Sequence, residues 1–168
     1  MNYFELFNIS VSFKVDKNSL QQRFYQLSKQ HHPDFYTLNT DIEKAAALEH
    51  SAYLNMAYKT LTNDDARLKY VLEITNILKE DEHYQLDCHF LMEMMEFNEK
   101  LTEAKSSNDV HKVTHYTLCI TSLKKELYEA ISKVMENYKE NISSEKELLQ
   151  VKEYYYKKKY LDRILEGI

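Results

Sequence analysis

The residue types best suited to chemistry sit together at His32, Pro33 and Asp34, within Leu27-Ser-Lys-Gln-His-His-Pro-Asp-Phe-Tyr36, and Pro33 is the one proline of the chain. Proline disfavours helical geometry at the residue before it, so a helix running in from Lys17 should end near His31 and turn. The turn then presents an imidazole and a carboxylate side by side on a rigid corner, with Arg23 and Lys29 on the helix that leads into it. Charged and hydrogen-bonding groups fixed in this way make a contact surface for a partner. On these residues alone a second reading stays open, in which Pro33 only stops the helix and its neighbours are polar loop residues.

Other reactive side chains do not converge. His50, His83, His89 and His111 are scattered over amphipathic or polar stretches and read as solvated or capping residues rather than catalysts. His31 with His32, or His111 with His115, could offer two metal ligands each, but no Cys-x-x-Cys and no His-Glu-x-x-His accompanies them. Cys88 and Cys119, the two cysteines, fall inside helical patterns and are expected as reduced, half-buried thiols. No metal, cofactor or catalytic residue is expected.

Composition sets the frame that must position the corner. With 43% hydrophobic residues in 168 positions, the chain can bury one good core or two small ones. One glycine, Gly167, and one proline leave little material for hairpins or a phosphate-cradling loop, so helices are expected throughout. A net charge of -5 argues against a nucleic-acid groove, and the basic run Lys157-Lys158-Lys159 reads as a solvated helix face. The start of the chain lacks a secretory pattern and no segment is apolar enough to span a bilayer, so a cytoplasmic protein is expected.

In the first half, Tyr3 to Asn8 reads as a short helix with Phe4 and Phe7 on one side, followed by an extended connection. Asp16 should cap a second helix with the stripe Leu20, Phe24, Leu27 and His31. Thr37 to Asp41 is a polar connection, and Thr40 or Asp41 should cap a third helix with the stripe Ala47, Ser51, Leu54, Tyr58 and Leu61. A fourth helix is predicted from Ala66 to Leu78. The domain boundaries expected are 1–78, a charged connector at 79–86, and 87–168.

In the second half, a helix starting at Asp87 carries a complete core stripe in Phe90, Met94, Phe97 and Leu101. Leu91, Met92 and Met95 add a second apolar face beside Glu96 and Glu99, which a three-helix bundle does not need to bury. Burial on both faces is the competing reading. A seam of Val113, Thr117, Ile120, Leu127, Ile131, Val134 and Tyr138, a turn at Asn141 to Ser144, and a return through Leu148, Val151, Tyr155, Leu161 and Leu165 complete the bundle. Tyr154, Tyr155, Tyr156 and Tyr160 go round the last helix, so some should face outward.

His-Pro-Asp behind a short amphipathic helix and ahead of Leu54-Asn-Met-Ala-Tyr58 resembles the J-domain of DnaJ-type co-chaperones. The match departs at Phe35, where relatives often have lysine, and at His31, where an aromatic is common. Phe90-Leu-Met-Glu-Met-Met-Glu-Phe-Asn-Glu-Lys-Leu101 and Tyr160-Leu-Asp-Arg163 resemble the second domain of the HscB family of iron-sulfur cluster assembly. The resemblance covers essentially the whole chain in order. It implies an all-α J-domain plus a C-terminal three-helix bundle, no enzyme activity of its own, and two protein partners. One is a DnaK-type chaperone of the HscA kind, met by His32, Pro33, Asp34, Arg23 and Lys29. The other is an IscU-type scaffold protein, met by Leu91, Met92, Met95, Glu96, Glu99 and Tyr160, the last a phenylalanine in some relatives. The zinc-binding cysteine module of eukaryotic relatives has no match in this sequence. A J-protein serving a general DnaK-type chaperone with another client is the alternative.

Overall fold

A computed structural model describes residues 1–32, 34 and 40–167. Pro33, Phe35 and the beginning of the polar connection at Thr37 lie outside the described residues. Within them the chain forms seven α-helices and no strand: α1 Tyr3–Leu6, α2 Lys17–Gln30, α3 Asp41–Thr62, α4 Asp64–Ile74, α5 Cys88–Ser106, α6 Val110–Glu136 and α7 Glu145–Glu166. It divides into two compact units, Met1–Asn76 with Tyr138–Ser143, and Ile77–Asn137 with Ser144–Ile168.

Side-chain caps set where the helices of the first unit begin. Asp16 accepts from the Asn18 N–H at 3.0 Å, and Thr40 and Glu43 form a reciprocal capping box. α2 ends at Gln30, with His31 closing it through a 3.1 Å bond to the Leu27 carbonyl. Phe4, Phe7, Leu20, Leu54, Leu61 and Val71 fill the core, and Phe24 stacks on Tyr58 at 4.2 Å to join α2 to α3.

Arg67, buried on α4, ties three segments together. Its guanidinium donates to the carbonyls of Phe13 at 2.8 Å and Leu61 at 2.6 Å, and to the Asp64 carboxylate at 2.7 Å. The hydrogen bond from Arg67 holds the Asp64 carboxyl below its ordinary range, with Lys17 adding to the effect against the cost of burial. α4 is shorter than its sequence pattern, ending at Ile74 rather than Leu78. The Thr75 hydroxyl donates to the Val71 carbonyl at 2.9 Å, and Asn76 turns into the left-handed region at φ 59°.

In the second unit, Asp87 caps α5 and is not its first residue. Phe90, Met94, Leu101, Ile120, Leu161 and Ile164 form one core contributed by α5, α6 and α7. Four expectations change. Tyr138 lies beyond the end of α6 and packs edge-on against Phe13 at 5.1 Å, inside the first unit. Lys157 and Lys158 are half-buried and paired, with Glu153 at 3.0 Å and Asp162 at 2.8 Å, so only Lys159 of the basic run is a solvated residue. Cys88 is exposed, because it occupies the first helical position beyond the cap. His50 is half-buried and packs against His31 with ring centroids 4.1 Å apart and planes tilted by 55°, and its Nε2 is buried without a hydrogen-bond partner among the described residues.

Candidate functional site

Two groups of residues carry the candidate chemistry, one in each unit. In the first, α2 stops at Gln30 and the chain brings His32 and Asp34 out with side-chain exposures of 54% and 84%. The His32 Nδ1 lies 3.3 Å from the Asp34 N–H and 3.4 Å from the Asp34 carboxylate. A neutral ring accepts the N–H there, whereas a protonated ring donates to the carboxylate. Either way the two residues are held together.

Lys29 stands exposed on the last turn of α2, where its charge also suits the helix C-terminus. Arg23 is placed differently. It is half-buried and its Nη1 donates to the carbonyls of Phe7 and Asn8, the latter at 2.7 Å. These carbonyls follow α1, so Arg23 fastens the end of that helix onto α2.

In the second unit, α5 puts Phe90, Met94 and Leu101 into the core and turns Met92 and Met95 to solvent, 66% and 55% exposed. Leu91 is half-buried beside them, and Glu96 and Glu99 are exposed on the same helix. The hydrogen bond from Lys100 lowers the Glu96 carboxyl below its ordinary range. Tyr160 of α7 is half-buried and meets Phe90 edge-on at 6.2 Å.

Next to this face lies a groove of about 610 Å³ between the connector and α7, lined by Tyr84, Leu86, Leu91, Tyr156 and Tyr160 with Lys159 and Arg163. The connector is held against α7 by Lys152, a buried lysine whose ammonium donates to the Ile77 carbonyl at 2.9 Å and to Glu82 at 2.6 Å. Tyr84 stacks flat on Tyr156 at 4.4 Å. Nothing in the local pattern of residues 79–86 announces these contacts, since their partners lie far along the chain. The one visible signal is the spacing of Lys159 and Arg163, two like charges on one helix face. No group of three or more histidine, cysteine, aspartate or glutamate side chains is close enough to hold a metal ion among the described residues. None of the described helices is long and apolar enough to cross a membrane.

The HSCB C-terminal oligomerisation domain matches residues 86–168. The human protein named iron-sulfur cluster co-chaperone protein HscB is 34% identical over 155 residues, which cover 92% of this chain and 64% of that one. The co-chaperone protein HscB homolog of Psychromonas ingrahamii is 35% identical over 119 residues, 70% of each chain. The chain belongs to the HscB family. The crystal structure of human HscB superposes with a TM-score of 0.78 at 32% identity, covering 99% of this chain and 80% of that one. The HscB fold is therefore the one adopted here, an all-α J-domain followed by a C-terminal three-helix bundle. The chain spans less than two thirds of the length of the human relative.

Proposed function

We propose that this HscB-family chain is a co-chaperone that stimulates ATP hydrolysis by a DnaK-type chaperone of the HscA kind and brings it an IscU-type scaffold protein for iron-sulfur cluster assembly. In this reading residues 1–78 are the J-domain, 79–86 the connector and 87–168 the scaffold-binding domain. His32, Pro33 and Asp34 make the chaperone contact. Lys29 adds a steering charge, and Arg23 contributes chiefly by holding the helix that carries it. Leu91, Met92, Met95, Glu96, Glu99 and Tyr160 receive the scaffold.

The observation that carries the reading is the exposure of Met92 and Met95 on a helix whose core stripe is already complete. Flexible, polarizable methionines on a surface suit a protein partner. The chain hydrolyses no ATP itself, consistent with a single glycine and no phosphate-cradling loop. Its two free thiols suit the reducing cytoplasm, where the chaperone would also be found.

Calorimetric titration of the full chain with an IscU-type scaffold protein tests this. Binding that weakens by several kcal/mol when Leu91, Met92 and Met95 are replaced by alanine supports the reading. Normal scaffold binding by that folded variant moves the site elsewhere, and no binding by the unmodified chain favours a different client.

A further inference from the structure

We propose that the groove between the connector and α7 is the second half of the scaffold-docking face, where Lys159 and Arg163 receive a carboxylate of the scaffold beside an apolar side chain seated among Leu91, Tyr156 and Tyr160. The inference rests on the scaffold reading above and adds a subsite and an orientation to it. At about 610 Å³ the groove is within the range of cavities that bury a ligand group. Stacked Tyr84 and Tyr156 give it a flat aromatic wall, and Lys152 fixes that wall by holding the connector in place.

Charge identifies the occupant. Along α7, Lys157 pairs with Glu153 and Lys158 shares Asp162 with Lys124, but Lys159 and Arg163 form no ion pair among the described residues. Like charges four positions apart repel on a helix, so the pair is a local cost that a bound anion would relieve. Glu82, the acid in the groove wall, is already taken by Lys152 at 2.6 Å. The groove is therefore cationic in a chain of net charge -5.

On α5, the neighbouring face takes its acidic character from the exposed Glu99, since the exposed Glu96 is paired with Lys100 at 2.5 Å. Leu91 and Tyr160 belong to both regions, so one surface runs from acidic through apolar to cationic. A complementary partner segment carries its charges in the opposite order, a basic side chain over α5 and a carboxylate in the groove. A nucleic acid would meet two cations and then repulsion.

The test is titration of the full chain with the IscU-type scaffold protein at about 0.1 M and about 0.4 M salt. Lys159→Glu with Arg163→Glu should raise Kd about tenfold or more at the lower salt and flatten its salt dependence. Met92→Ala with Met95→Ala should raise Kd similarly and keep the salt dependence of the unmodified chain. Unchanged affinity in the charge variant, with the methionine variant weakened, overturns the groove and leaves the scaffold face standing. Weakened binding with unaltered salt dependence also overturns it, and unchanged affinity in both variants overturns the scaffold reading itself. If circular dichroism finds the charge-reversed chain unfolded, Lys159→Gln with Arg163→Gln carries the same comparison.

Discussion

Arg23 and Lys29 occupy the same helix and carry the same charge, yet they differ in what they hold. Arg23 donates to the carbonyls of Phe7 and Asn8, so Arg23→Glu leaves them without a donor and adds a repelling carboxylate. The expected cost is about 1–3 kcal/mol, read as a lower urea midpoint. Lys29→Glu should cost less, about 1 kcal/mol at most, from reversing a charge that suits the C-terminus of α2. It should instead slow association with an acidic chaperone surface, an effect that fades with salt. Equal urea midpoints for the two variants would contradict this division. The two charges were legible in the sequence, but their expected sharing of one polar helix side holds only for the exposed Lys29, since Arg23 is half-buried. The use of Arg23 was not legible, because its partners are backbone atoms on an earlier segment that the fold brings alongside. The same holds for Arg67, whose role depends on carbonyls of Phe13 and Leu61.

Helices were predicted well where a cap and an apolar stripe agree, as in α2 with Asp16 and α3 with Thr40. α4 was overextended because the apolar pattern continues to Leu78, which is buried, while the chain has already left the helix at Asn76. α5 separates its two faces clearly, which the pattern alone left open. Met94→Ala should cost about 2–5 kcal/mol, since it empties a fully buried position. Met92→Ala and Met95→Ala should each cost about 0.5 kcal/mol or less in the same denaturation experiment. Comparable losses at all three would return both faces to the core. Between α2 and α3, burial and the neighbouring His31 ring both push the His50 imidazole below its ordinary value. The unfolded chain then binds a proton more readily than the folded one. This contribution to stability is complete above the ordinary value of 6.5 and is lost as pH falls through it toward the folded value. The melting temperature should accordingly drop between about pH 7.5 and about pH 5.5, and the drop should be smaller in His50→Phe. Asp16, Glu43 and Asp64, whose carboxyls are lowered, act only at more acid pH. Equal slopes in the two proteins would assign the titration to another group.

At the scale of the molecule, the two units divide the proposed work, one presenting the His32 and Asp34 corner and the other the exposed face of α5. Each unit keeps a local signature in the sequence, a prolyl tripeptide in one and a surplus apolar face in the other, and the proposal is built on these. The groove beside α7 was not readable, since it exists only once Lys152 and Tyr156 hold a connector from more than sixty residues earlier. The two activities should be separable by mutation within one folded chain. Steady-state ATP hydrolysis by an HscA-type chaperone, with and without the IscU-type scaffold, measures both at once. The unmodified chain should raise the rate, and the scaffold should raise it further. His32→Gln should abolish stimulation under both conditions with the melting temperature nearly unchanged, while Met92→Ala with Met95→Ala should keep the first increment and lose the second. Full stimulation by His32→Gln would contradict the account.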